Sequence, residues 1–129
     1  MNDWPGQREC YLKFALLFHG GARDGDHFDI VCELRKGRRP WTLRALQFPF
    51  ESTRFLSVAY GYVRRRYLKF EGDIGRGRGF VHQIDAGVYR VSGAEPLEIE
   101  FRGRRLLYRF RLKSNQTGWI FERQLIDPI

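Results

Sequence analysis

Cys10-Tyr-Leu-Lys-Phe-Ala-Leu-Leu-Phe18 runs into His19-Gly-Gly-Ala-Arg-Asp-Gly-Asp-His27, and that into Phe28-Asp-Ile-Val-Cys-Glu-Leu34. Both apolar flanks read as strands, and the Gly- and Asp-rich middle reads as the loop of a hairpin. Side chains on a strand alternate between faces. Cys10, Leu12, Phe14, Leu16 and Phe18 therefore share one face, and Phe28, Ile30, Cys32 and Leu34 share another. With both apolar rows on one core, His19, His27 and Asp29 fall on the opposite face. The two histidines then become cross-strand neighbours with Cβ atoms about 5 Å apart, and Asp29 stands one pleat further along. Two imidazoles and a carboxylate converging in this way match the two-His, one-carboxylate arrangement that binds a divalent metal with open positions. A polar hairpin tip facing solvent is the plainer reading of the same residues.

Outward from the hairpin, Lys36-Gly-Arg-Arg-Pro40 reads as a turn and Trp41 to Phe48 as a third strand closed by Pro49. Residues 51–66 suit either a strand or a short helix. Phe80 to Asp85 and Val88 to Ser92 read as two short strands around Ala86-Gly87. Leu97 to Phe101 and Arg104 to Lys113 read as a hairpin around Arg102-Gly103. A turn at Ser114-Asn-Gln-Thr-Gly118 leads to a last strand, Trp119 to Arg123. There is no internal repeat, low-complexity tract or linker, so one domain is expected over residues 1–129, with residues 1–8 as a loose start. Many short strands with frequent glycine turns argue an all-β, mainly antiparallel fold. A compact β-barrel with at most one or two short helices is expected, a sandwich being the other arrangement such strands form.

At 43% hydrophobic and 16% aromatic, 129 residues can build a core without covalent staples. Cys10 and Cys32, the only cysteines, fall on apolar faces and read as small core residues, with free thiols expected in a reducing cytoplasm. The opening Met-Asn-Asp-Trp-Pro-Gly-Gln-Arg has no apolar signal region, and the longest apolar run, Phe14 to Phe18, is too short for a bilayer. A cytoplasmic, monomeric protein with no membrane partner is expected. The net charge is +8, and arginine supplies 19 of the 23 basic residues. Arginine makes bidentate contacts to phosphate, so this balance points to nucleic acid or another polyanion. A solvated basic surface in an arginine-rich proteome accounts for the composition equally well.

Arg64-Arg65-Arg66 is the densest charge in the chain. Three consecutive residues cannot all face one way. Phosphate-backbone contact is the functional reading, and a solvated segment the plain one. Gly75-x-Gly77-x-Gly79, with Arg76 and Arg78, resembles a phosphate-cradling loop, but no helix follows it as a dinucleotide fingerprint requires. It reads as a mobile hairpin loop with arginines able to meet phosphate. Arg105, Arg109 and Arg111 are expected on one outer strand face. His82 shares a face with Phe80 and Ile84 and reads as a core histidine. Neither the serines (Ser52, Ser57, Ser92, Ser114) nor the cysteines sit in a nucleophile motif.

With Phe18-His19, His27-Phe28-Asp29 and Tyr67-Leu-Lys-Phe70-Glu71-Gly72 in order, the chain resembles the 3′-phosphoesterase domain of bacterial DNA ligase D. Gly75 to Gly79, Asp85-Ala-Gly87-Val-Tyr89 and Gly118-Trp119 continue the same order across residues 11–123. The resemblance implies a compact β-barrel holding Mn²⁺ or Zn²⁺, with Mn²⁺ favoured. It implies hydrolysis of a 3′-terminal phosphate or ribonucleotide at DNA (or RNA) ends during repair, beside a separate ligase or end-joining protein. It assigns His19, His27 and Asp29 as metal ligands, Arg54 as a phosphate-binding arginine and Tyr67 as a tyrosine of the active-site pocket. The chain also departs from the family. Val31 stands where the family has an arginine, residues 30–81 contain no histidine, and Leu46-Gln47-Phe48-Pro49 lacks the family lysine. The His19–His27 spacing is two residues longer than the family's.

Two expectations follow, ahead of a third, a protein-interaction module with neither activity. The first is a divergent, metal-dependent 3′-phosphoesterase. The second is a non-catalytic nucleic-acid-binding β-barrel that keeps the fold without the chemistry, touching nucleic acid through Arg64, Arg65, Arg66, Arg76 and Arg78.

Overall fold

The hairpin of residues 10–34 is the first turn of a sheet that continues until it meets itself. The computed structural model describes residues 4–23, 25–51 and 53–124. The strands are β1 (Leu12–Gly20), β2 (His27–Cys32), β3 (Trp41–Ala45), β4 (Arg54–Tyr62), β5 (Gly72–Asp73), β6 (Phe80–Gly93), β7 (Leu97–Gly103), β8 (Leu107–Ser114) and β9 (Gly118–Arg123). They pair antiparallel in the order β1-β2-β3-β4-β9-β8-β7-β6, and β6 closes back onto β1. The result is an eight-strand barrel, with the two-residue β5 attached to β6. Closure leaves few unpaired sheet edges, which suits a chain of short strands. The helical content among the described residues is two 3-10 turns, Pro49–Glu51 and Arg65–Leu68. No described helix is long and apolar enough to cross a membrane.

The inward rows are those that alternation assigns. Leu12, Phe14 and Leu16 of β1 and Ile30 and Cys32 of β2 are buried, as is Leu34 just beyond β2. They join Phe50, Phe55, Tyr89, Phe101, Phe110 and Phe121 in one aromatic-rich core. Each such ring contributes about 1.5–3 kcal/mol by leaving water. Cys10 and Cys32 are free thiols, and burial pushes the Cys32 thiol far above the ordinary cysteine range.

Four local expectations are corrected. Trp4 is not part of a loose start. It is buried and packs against Trp41, Tyr89 and Trp119 with ring centroids 5.7, 6.2 and 5.5 Å away. Residues 1–3 of that start lie outside the described residues, as do Ser52 and residues 125–129. Ala86-Gly87 is no turn, because β6 runs through it for 14 residues, pairing with β1 and then with β7. Glycine is needed at position 87 because a Cβ there would collide with the Arg102 carbonyl. Arg105 leaves the strand expected for it. The backbone N–H groups of Ala86, Arg104, Arg105 and Leu106 all donate to the buried Asp85 carboxylate, which folds residues 104–106 into a turn before β8. His82 is not in the core; its side chain is exposed and paired with Glu71 at 3.2 Å.

Outside the barrel, residues 63–79 lie across the outer face of β1, β2 and β6. Ala15, Leu17, Val31 and Val81 are buried there together with Leu68, beside Val63, Tyr67, Phe70 and Ile74. The hairpin face opposite the core is therefore not simply solvated. Arg65 pins the cover by donating to Glu33 at 2.7 Å and to the Arg38 carbonyl at 2.6 Å. Glu33 also accepts from the N–H groups of Lys13 and Gly37. Burial works against the Glu33 charge, but these donors outweigh it and hold the carboxyl below the usual glutamate range.

Candidate metal centre

β1 and β2 meet in the register that places His19 directly opposite His27 and Leu17 opposite Asp29. All three polar side chains leave the barrel on the covered outer face. His19 Nδ1 stands 3.0 Å from His27 Nε2, and His27 Nε2 stands 3.5 Å from Asp29 Oδ2. One ligand atom from each residue lies within 4.8 Å of the others, so the group can hold a metal ion. His27 is buried, and the Asp29 side chain is only 13% exposed.

Backbone carbonyls set the chemistry of these atoms. His19 Nε2 donates to the Arg78 carbonyl at 2.9 Å, and His27 Nδ1 donates to the Gly25 carbonyl at 3.1 Å. With those protons assigned, His19 Nδ1 and His27 Nε2 each turn a lone pair toward the same point, and Asp29 Oδ2 turns a third. Three acceptors facing one another repel unless a cation or a proton stands between them. At a metal–nitrogen distance of about 2.1 Å, two ligands at right angles are about 3.0 Å apart, the separation of the two imidazoles. The donor set of two nitrogens and one carboxylate oxygen thus fits a divalent cation with further positions open.

The neighbouring strand completes the site. Arg44 of β3, paired across from Asp29, donates through Nε to Asp29 Oδ1 at 3.1 Å and leaves Oδ2 toward His27. Burial opposes the Arg44 charge, but the hydrogen bond and charge of Asp29 outweigh it and hold its pKa above the ordinary arginine value. The guanidinium carbon lies 3.8 Å from the Tyr60 ring centroid. Asp29, Arg44, Thr42, Tyr60, Tyr67 and Arg78 line a pocket of about 210 Å³ whose remaining walls include Leu17, Val31, Val63, Ile74 and Val81. Thr42 is 2% exposed, and its hydroxyl has no hydrogen-bond partner.

The other expected site residues divide. Tyr67 lines the pocket. Arg78 reaches it too, but its guanidinium donates to its own loop at the Ile74 and Gly75 carbonyls, while its carbonyl orients His19. The glycine loop thus orients the histidine through its backbone. Gly79 closes it with φ +94°, where any Cβ would collide with the Gly20 carbonyl. Arg76 is exposed in the loop with φ +54°. Arg54 stands elsewhere, opposite Glu122 of β9 and roughly 20 Å along β4 from Tyr60. Of the three consecutive arginines, Arg64 is exposed, Arg65 is the Glu33 anchor, and Arg66 lies over the Tyr67 and Phe70 rings.

Arg44, Thr42 and Tyr60 are not among the residues singled out from sequence. The signal for the first two is the β2–β3 register, in which Asp29 faces Arg44 and Val31 faces Thr42. Nothing local to residues 41–45 announces that register.

Fold and site together define a class: a small closed antiparallel β-barrel with a buried two-histidine, one-aspartate group on its outer wall. Compared with protein-family models and with curated proteins, the chain matches none of either.

Proposed function

We propose that the protein is a divalent-metal-dependent phosphoesterase acting at nucleic-acid 3′ ends, removing a terminal phosphate or ribonucleotide as an end-repair step. The observation that carries this reading is the convergence of His19, His27 and Asp29, of which His19 and Asp29 line one pocket together with Arg44. Its ordered sequence motifs resemble the DNA ligase D 3′-phosphoesterase domain, and its charge of +8 suits a polyanionic substrate.

His19 and His27 are held in one tautomer each, so their lone pairs are presented without rearrangement. Asp29 divides its oxygens, Oδ1 for Arg44 and Oδ2 for the cation site. Bound there, Mn²⁺ or Zn²⁺ supplies Lewis-acid stabilisation of phosphoryl charge. Mn²⁺, which the resemblance favours, is the first ion to use. The Arg44 guanidinium adds positive charge on the side facing the pocket. Arg44 thus supplies from β3 the cation that the family carries at the position of Val31. The apolar walls lower the local dielectric and strengthen each of these interactions.

The test is a primer–template carrying a 3′-phosphate or one 3′-terminal ribonucleotide, incubated with Mn²⁺ and either wild type or Asp29→Ala. Conversion to a 3′-hydroxyl by wild type alone is expected. Conversion by both proteins, or equal Mn²⁺ affinity in the variant, defeats the assignment.

A second reading, nucleic-acid binding without chemistry, is favoured by a separate observation. Lys13, Arg65, Arg66, Lys69 and Arg104 line a broad groove of about 890 Å³ on the other side of the 65–68 turn, with Glu71 as its one acid. This reading takes over if hydrolysis is absent while DNA or RNA binds in a strongly salt-dependent manner.

A further inference from the structure

Tyr60 is the least explained side chain of the pocket. Tyr60 is 60% exposed, although it lines the same pocket as His19 and Asp29. One face lies on the Arg44 guanidinium, 3.8 Å from ring centroid to carbon, and Arg44 is itself fixed by Asp29. The backbone delivers the ring there by an irregularity. Thr42 pairs with Gly61 and Leu43 with Ala59, so Tyr60 is an extra residue on β4, a bulge that re-aims its side chain over β3. A ring held flat on a cation, with much of its surface in water, is a stacking platform.

We propose that Tyr60 seats the terminal base and that the site therefore selects an unpaired 3′-terminal nucleotide. The inference rests on the reading of the triad as a phosphoester site. The pocket is small, about 210 Å³, and Tyr60 lines it beside Asp29 and Arg44. A nucleotide with its phosphate beside Asp29, Arg44 and Thr42 brings its base against Tyr60 at the rim only after leaving its partner strand. Unpaired or mismatched ends meet that requirement at least cost.

The experiment uses a single-stranded oligonucleotide whose 3′-phosphorylated terminal nucleotide is 2-aminopurine, a base whose fluorescence falls on stacking. Wild type and Tyr60→Phe are expected to quench it with similar affinity. Tyr60→Ala is expected to bind roughly tenfold more weakly, with the quench lost. A fully paired blunt end carrying the same terminal base is expected to bind wild type roughly tenfold more weakly than the unpaired one. Because Tyr60 is exposed, the alanine variant keeps the fold, which circular dichroism checks. Unchanged emission on the bound oligonucleotide, equal quenching by Tyr60→Ala, equal affinity for paired and unpaired ends, or no binding by wild type at low salt overturns the proposal. Hydrolysis measured alongside separates the two readings. Tyr60-dependent quenching without hydrolysis removes the chemistry and keeps the base seat. Hydrolysis with unaltered kcat and KM in Tyr60→Ala does the reverse.

Discussion

Thr42 carries a hydroxyl where a methyl group would fold as well. It is buried and lacks a partner, and a hydroxyl in that state costs on the order of 1–3 kcal/mol relative to a satisfied one. Thr42→Val is expected to raise the stability of the metal-free protein by about 1 kcal/mol, seen as a higher urea midpoint with unchanged slope. Loss of stability in Thr42→Val would show that the hydroxyl is satisfied in the folded protein. The neighbouring Asp29 divides its oxygens: Oδ1 accepts from Arg44, and Oδ2 faces His27 Nε2 at 3.5 Å.

The covering segment and the hairpin form the next scale. Residues 63–79 bury Leu17, Val31 and Val81 and bring the Arg78 carbonyl to His19, so the site depends on how the cover is tied down. The tie is Glu33 with Arg65. Arg65 is 37% exposed, so the pair is partly screened and contributes about 1–2 kcal/mol. Glu33→Gln is expected to lose that amount in denaturant melts at neutral pH. The pH dependence follows from the sign of the shift. The folded-state pKa of Glu33 lies below its unfolded value near 4.5, so its contribution is complete above that value. It fades as pH falls through the lowered folded value. The wild-type stability curve is therefore expected to drop on the acid side where the Glu33→Gln curve is flatter, and parallel curves would show that the Glu33 charge is not linked to folding.

At the scale of the whole molecule, closure of the sheet and the plug at its mouth decide stability. Trp4 sits outside every strand yet touches the rings of Trp41, Tyr89 and Trp119, which belong to β3, β6 and β9. Trp4→Ala is expected to destabilise the barrel by about 3–5 kcal/mol, the cost of emptying a large aromatic site. Thermal melts check it, and a change under 1 kcal/mol would return residues 4–8 to the status of a loose start. The basic charge is also organised at this scale. Arg54 and the 64–66 run do not converge on the triad, and the groove beyond the 65–68 turn gathers Lys13, Lys69 and Arg104 from distant positions.

The succession of short strands and glycine turns marked the all-β class, and alternation along residues 10–34 was enough to determine the inward row and the placing of His19, His27 and Asp29 on one outer face. The last two follow from the two-residue period of a strand, a property of local geometry. The outward character of that face was legible too, but its burial was not, because the cover comes from residues 63–79 through contacts far apart in sequence. Tertiary structure alone decided that β6 runs straight through Ala86-Gly87, that Trp4 is core, and that Arg54 stands away from the site. It also decided that Arg44, Thr42 and Tyr60 join the triad. Those outcomes hang on strand register and barrel closure. A shift of one residue between β2 and β3 would exchange every inward and outward side chain of β3, and no local propensity distinguishes the two registers.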